Sequence, residues 1–170
     1  MLTGKKIVLG VSGGIAAYKM ANVASMLSKL HADIHVVMTE NATHFITPET
    51  FEVLTGNHCY TDTFDRCMEL HVPHIALGTQ ADAILIAPAS ADVVGKIANG
   101  IADDMLTTCV LPATCPVMLA PSMNVHMYEN PIVQDNMKKL ASYGYEIIEA
   151  DEGYLACRDI GKGKLPPEHV

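Results

Sequence analysis

Three side chains in this 170-residue chain are suited to proton or carboxylate chemistry: His74, Asn124 and Cys157. Histidine is the residue most readily tuned to exchange a proton near neutral pH. His74 follows Pro73 at the start of a helical pattern, nine residues before the apolar run Ala83–Ala87. Cys157 lies in the polar stretch LACRD, where a thiol can donate a proton or react, although most unpaired cysteines are inert. Asn124 stands in PSMNVHMYENP between Met123 and Met127. An Asn in such a loop is a turn former or a polar contact, and methionines at that spacing fill cores or touch ligands.

Two further loops could hold an anion. GVSGGIAAYK (Gly10–Lys19) joins an apolar run to a helical pattern through small residues. Such a junction lets backbone approach a ligand and offers it unpaired N–H groups. It is not the dinucleotide GxGxxG, because Ser12 takes a glycine's place, nor a P-loop, because no GK[ST] follows. The second apolar run ends in Met38-Thr39 without the acidic residue an NAD ribose needs. Two readings stay open: a mononucleotide phosphate held by Ser12, Gly13, Gly14 and Thr39, or a tight turn alone. In PASAD (Pro88–Asp92), Ser90 is placed as a helix cap or a ligand donor.

Those loops follow the runs Lys6–Gly10, Ile34–Met38, Ala83–Ala87 and Val117–Ala120; a fifth run is Glu146–Ile148. Short, nearly unbroken apolar runs read as strands covered on both faces. Helical patterns at Ala16–Leu30, Pro48–Leu54, Pro73–Gln80, Ala91–Ile101 and Pro131–Tyr143 alternate with them. The alternation predicts an α/β fold: one doubly wound parallel sheet with helices on both faces, a Rossmann-like or flavodoxin-like three-layer sandwich. Its crevice lies beyond the carboxyl ends of the strands. One domain over 1–170 is expected, with a C-terminal flap at about 149–166.

Composition narrows the partners. Eleven Lys and Arg against nineteen Asp and Glu give a net charge of −8, a poor match to nucleic acid. No apolar run nears the ~20 residues of a membrane span. The opening MLTGKKIVLGVSGG reads as a strand entering a glycine turn rather than a signal peptide, so a cytoplasmic place is expected. The five cysteines, without a CxxC pair, are expected as thiols. His71 and His74 in HVPH lack companion ligands at zinc-like spacing, so no metal is expected.

The segments GVSGGIAAYK, His74 in PHI, PASAD followed by GKIANGIADDMLTT, and PSMNVHMYENP together resemble the homo-oligomeric flavin-containing cysteine decarboxylases. The hallmarks of that family are a His motif, a PASANT motif and a PxMNxxMW motif, and the resemblance covers residues 5–165. LACRDIGKGKL (Leu155–Leu165) is similar to the ACGD substrate clamp of the branch that decarboxylates phosphopantothenoylcysteine in coenzyme A biosynthesis. The peptide-modifying lantibiotic branch generally lacks that cysteine, and the related prenyltransferases of ubiquinone synthesis lack PxMNxxMW.

The resemblance implies FMN binding at Gly13, Gly14, Ile15, Thr39, Ser90, Ala91, Asp92, Val93 and Ser122. It implies His74 as base, Asn124 as carboxylate contact, Met127 and Ala156 beside the substrate, and Cys157 as proton donor. The chemistry implied is oxidation of a cysteine to a thioaldehyde, loss of CO₂ to an enethiolate, then protonation and return of the hydride. A homotrimer or homododecamer is implied, with FMN and His74 meeting at a subunit boundary, and a fused or separate phosphopantothenoylcysteine synthetase. A peptidyl-cysteine decarboxylase and a non-catalytic regulatory flavoprotein are the alternatives. Three positions depart from the family pattern: Asp92-Val93 for Asn-Thr, Tyr128 for Trp, and Arg158 for the Gly of ACGD.

Overall fold

The computed structural model describes residues 1–64 and 72–169; His71 and Cys67 lie outside these residues. The apolar runs form the centre of a parallel sheet. Lys6–Val11 (β1) buries Val8 toward one face and Leu9 and Val11 toward the other, as its unbroken apolar character requires. Asp33–Met38 (β2) and Ala83–Ala89 (β4) flank it, and Val117–Pro121 (β5) pairs with β4. Cys59–Tyr60 (β3) and Glu146–Ile147 (β6) close the two edges, giving the order β3-β2-β1-β4-β5-β6 with every pairing parallel.

Right-handed crossovers on that order put helices on both faces, so the predicted doubly wound sandwich is the fold observed. Met20–Lys29 (α1) and Pro48–Thr55 (α2) pack together on one face, around Met20, Ala24 and Phe51. Pro73–Gln80 (α3), Ala91–Ala98 (α4), Met105–Val110 (α5) and Pro131–Ser142 (α7) cover the other, around Leu77, Leu106, Ile84 and Leu140. A short helix, Val125–Glu129 (α6), precedes α7. The chain changes crossover direction between β1 and β4, so the loops after these two strands diverge and leave a crevice.

Several local features differ from the sequence expectation. The helix expected over Ala16–Leu30 opens with a 3₁₀ turn, Ile15–Lys19, before α1 begins. The helix expected to reach Ile101 stops at Ala98, and Gly100 then turns at a φ of 68°. Helix α5 then starts afresh at Asp104, whose side chain accepts from Thr107 N–H while Thr107 caps Asp104 in return. The polar stretch after Ile148, expected only as a flap, carries two strands that the sequence did not signal, the antiparallel hairpin Asp151–Tyr154 (β7) with Ile160–Lys164 (β8). Its sequence lacks apolar alternation, and its place is set by tertiary contact. Met123 N–H donates to the Gly163 carbonyl at 2.9 Å, and a Cβ at Gly161 would meet Val125 Cγ2 at 2.6 Å.

Candidate active site

The first loop is anchored by Ser12. Its hydroxyl donates to the Pro88 carbonyl and accepts the Ser90 N–H at 2.8 Å, while its own N–H also reaches Pro88. Ser12 is wholly buried, so both roles of its hydroxyl are spent joining the ends of β1 and β4. It lines neither cavity described below. The expectation that Ser12 holds a phosphate is therefore corrected: its hydroxyl clasps the strands beneath the loop.

Two cavities open above that clasp and share Gly13 and Ser90 on their walls. The first, of about 280 Å³, is bounded by Gly13, Gly14, Ile15, Ser90, Ala91 and Ser122 on the sheet side. Asn124 and Met127 come from the loop after β5, and Leu155, Ala156, Cys157 and Gly163 from the hairpin. The second, of about 220 Å³, adds Thr39, Asn41, Asp92, Val93 and Lys96, with Glu40, Asp103 and Asp104 at its margin. The structure thus gathers most residues named from the sequence onto one crevice.

Hydroxyls on this crevice keep donor capacity. Ser90 Oγ accepts the Val93 N–H at 3.3 Å as cap of α4, and Thr39 Oγ1 accepts from Ala42 at 3.2 Å. Accepting leaves each O–H free to donate, so Ser90 can serve as cap and ligand donor together. Asp92 does not project an unpaired charge, because Lys96 Nζ lies 3.3 Å from its carboxylate, 3.1 Å from Asp103 and 3.8 Å from Asp104. The hydrogen bond to Asp103 raises the Lys96 pKa above its ordinary value against the opposing effect of burial, with Asp92 adding to the rise. Neither sequence reading foresaw this cage; the i,i+4 spacing of Asp92 and Lys96 was its visible trace.

At the far end of the first cavity, three side chains meet. Asn124 Nδ2 donates to Asp159 Oδ2 at 2.9 Å and to Cys157 Sγ at 3.1 Å, and Cys157 Sγ lies 3.4 Å from the same carboxylate oxygen. Asn124 Oδ1 accepts the His126 N–H at 2.9 Å, which turns the amide nitrogen toward that pair. Asp159 went unnoticed in the sequence because only the hairpin brings it here. Tyr128, which stands for the Trp of the family pattern, lies elsewhere. It is buried in the core beside α7 and lines a separate depression with Glu129 and Gln134, so it supplies no wall to the first cavity.

Arg158 occupies the left-handed region at φ 70°, where the family pattern writes Gly. The turn nevertheless forms, with Arg158 N–H donating to Leu155 and Leu155 N–H to Asp159, both at 2.9 Å. A non-glycine residue in that region costs roughly 1–2 kcal/mol, partly offset by glycine's larger loss of chain entropy on folding. Arg158→Gly is therefore expected to stabilise the hairpin by less than about 1 kcal/mol. The check is a small rise in melting temperature together with slower proteolysis within 155–159.

His74 stands apart. It is the second residue of α3, and its Nδ1 is buried with no hydrogen-bond partner among the described residues. It lines neither of the two cavities described above, and its helix α3 packs against α5. Among the described residues no group of His, Cys, Asp and Glu could hold a metal ion. No helix among them is long and apolar enough to cross a membrane.

Comparison with known proteins decides the family. The family model described as Flavoprotein matches residues 1–169. The chain belongs to that family. This flavoprotein is 50% identical over 171 residues to the coenzyme A biosynthesis bifunctional protein CoaBC of Bacillus subtilis, covering 100% of the chain but 42% of that relative. It thus spans less than half the length of such bifunctional relatives. A Streptococcus mutans protein named "Probable phosphopantothenoylcysteine decarboxylase" is 44% identical, over 95% of this chain and 91% of its own. Among solved structures, a cysteine-to-serine mutant of PPC decarboxylase complexed with pantothenoylaminoethenethiol superposes with a TM-score of 0.87 at 30% identity, covering 97% of this chain and 92% of that one. The FMN-dependent cysteine decarboxylase SpaF gives 0.84 at 36%, covering 95% and 92%.

The crevice fits a flavin. A Cβ at Gly14 would meet nothing within 4 Å, so the first loop leaves open space beside a largely uncharged cavity. The hydroxyls of Thr39 and Ser90 face the polar side, and Ile15, Ala91 and Met127 offer apolar walls for a planar ring.

Proposed function

We propose that this flavoprotein binds FMN and decarboxylates 4′-phospho-N-pantothenoylcysteine to 4′-phosphopantetheine, a cytoplasmic step of coenzyme A biosynthesis. The observation that carries the reading is Cys157 on the cavity wall, 3.1 Å from the Asn124 amide. That pair puts a proton donor and a carboxylate-binding amide at one point. The bifunctional relatives make a fused or separate phosphopantothenoylcysteine synthetase the natural partner.

When bound, FMN supplies a two-electron acceptor for the substrate's cysteine side chain and later gives the electrons back. Gly13, Gly14, Ile15, Thr39, Ser90, Ala91, Asp92, Val93 and Ser122 would hold it, all of them on the two cavities. His74 takes a proton from the substrate's cysteine. Asn124 holds the carboxylate, with Met127 and Ala156 beside it, until CO₂ leaves. Cys157 then gives a proton to the carbon that has lost CO₂. His74 lines neither of these two cavities, so we place it in the site of a neighbouring copy within a trimer or a dodecamer of trimers. Ile15 and Tyr18, each 57% exposed beside the first loop, give such a neighbour an apolar surface.

The test is incubation with phosphopantothenoylcysteine and mass analysis of the product. Loss of CO₂ alone is the expected result. Loss of CO₂ with two hydrogens would instead mark an oxidative decarboxylase that stops at the enethiol. Binding without a mass change would mark a regulatory flavoprotein.

A further inference from the structure

We propose that Asp159 is a positioning residue that hands the Asn124 amide from the substrate's carboxylate to the Cys157 thiol. The proposal deepens the reading above and rests on it for the identity of the substrate.

An amide nitrogen has two N–H donors, and in the free protein Asn124 spends them on Asp159 Oδ2 at 2.9 Å and Cys157 Sγ at 3.1 Å. The amide cannot swing away to find others, because Oδ1 is held by the His126 N–H. A substrate carboxylate can reach Asn124 only by displacing another carboxylate, that of Asp159. The displacement also releases the thiol, which shares the same Asp159 oxygen at 3.4 Å. Once CO₂ has gone, no anion competes for the amide. Asp159 returns, and the thiol returns with it to the place the carboxylate left.

That place is next to the carbon that must be protonated, since the new C–H bond forms where the C–C bond broke. The step balances simply. The Cys157 S–H bond breaks, a C–H bond forms on the enethiolate to give the thioaldehyde, and the resulting thiolate is reprotonated from solvent. No electrons are exchanged in it. Asp159 thus orders the reaction: thiol away while the carboxylate is bound, thiol present after it leaves.

Asp159→Asn tests this with little risk to the fold, because the turn is closed by backbone bonds from Leu155 and Arg158 that do not use the side chain. With the competing charge removed, the KM for phosphopantothenoylcysteine is expected to fall roughly tenfold, the weight of one charge-assisted hydrogen bond. The enethiol is expected to become a major product, since the thiol is no longer carried back. Asp159→Glu, which keeps the charge, should restore the low enethiol share. Cys157→Ser, run alongside, should release enethiol without the fall in KM. An Asp159→Asn enzyme with unchanged or raised KM, or with no enethiol, overturns the handover. A second measurement needs no substrate: alkylation of the Cys157 peptide by iodoacetamide, followed by mass. It should quicken several-fold in Asp159→Asn and in Asp159→Ala, and an unchanged rate overturns the triangle itself. If the wild type releases no CO₂ while this rate responds, the functional reading fails and the handover with it, and the triangle stands.

Discussion

His74→Asn is expected to slow oxidation of the substrate by about 10²–10⁴-fold, the usual weight of a positioned general base, while flavin content and melting temperature stay near native. The stability half follows from the packing. His74 Nδ1 is buried without a hydrogen bond among the described residues, so the substitution removes no satisfied contact to them, and Asn is tolerated at the start of α3 behind Pro73. The activity half is read by anaerobic mixing with substrate, where bleaching of the flavin band reports oxidation. A native bleaching rate would take His74 out of the chemistry. The subunit arrangement is read in the same variant. If a neighbouring copy supplies the histidine, oligomers mixed from His74→Asn and Asn124→Ala chains regain part of the activity that each lacks alone. Mixed oligomers as inactive as their parents would place the histidine and the amide in one chain.

Gly13→Ala is expected to destabilise the fold, and the comparison with Gly14→Ala separates packing from ligand binding. A Cβ on Gly13 would collide with the Asn41 side chain and lie 3.1 Å from its backbone carbonyl carbon, so the loop after β1 would be pushed off the loop after β2. Overpacking of this kind costs about 1–3 kcal/mol. Thermal or urea unfolding should show the loss even in cofactor-free protein. A Cβ on Gly14 meets nothing, and its φ of −167° suits any residue. Gly14→Ala should therefore keep the apo stability and lose flavin on dialysis. Equal destabilisation of both variants would mean that the first loop is shaped by the fold alone.

The parts of the fold most legible in sequence were those governed by local burial. β1, β2, β4 and β5 are runs buried on both faces, so their apolar character shows in every residue. Strand β3 was invisible because Cys59-Tyr60 stands between the polar pairs Asn57-His58 and Thr61-Asp62, with no apolar run around it. Helix α5 was missed because residues 99–101 read as a continuation of α4 and drew the pattern toward it; the Asp104 and Thr107 pair was the available signal. The hairpin was illegible in a deeper sense, since glycine-rich β8 is a strand only where Val125 and Met123 receive it. The crevice was legible because the loops after parallel strands all lie at one edge of the sheet and part where the strand order reverses. The Asp159 triangle and the Lys96 cage were not, as each joins segments that meet only in the folded chain. Ser12 shows the opposite error: a residue type fit for phosphate was consumed by the architecture.

That clasp also dictates when the site can come into being. Ser12 and Ser90 are separated by 78 positions, yet each completes the other's loop. Strand β1 can accept β2 as soon as residues near 38 are available, but its other edge waits for β4. The first cavity then waits again, for the loop at Asn124 and the hairpin at Cys157. Closing such long loops carries entropy that is recovered only when the last contacts form. Cofactor affinity in this molecule is thus a late event of folding, and acquisition of flavin absorbance reports the assembly of the whole sheet rather than of the first loop.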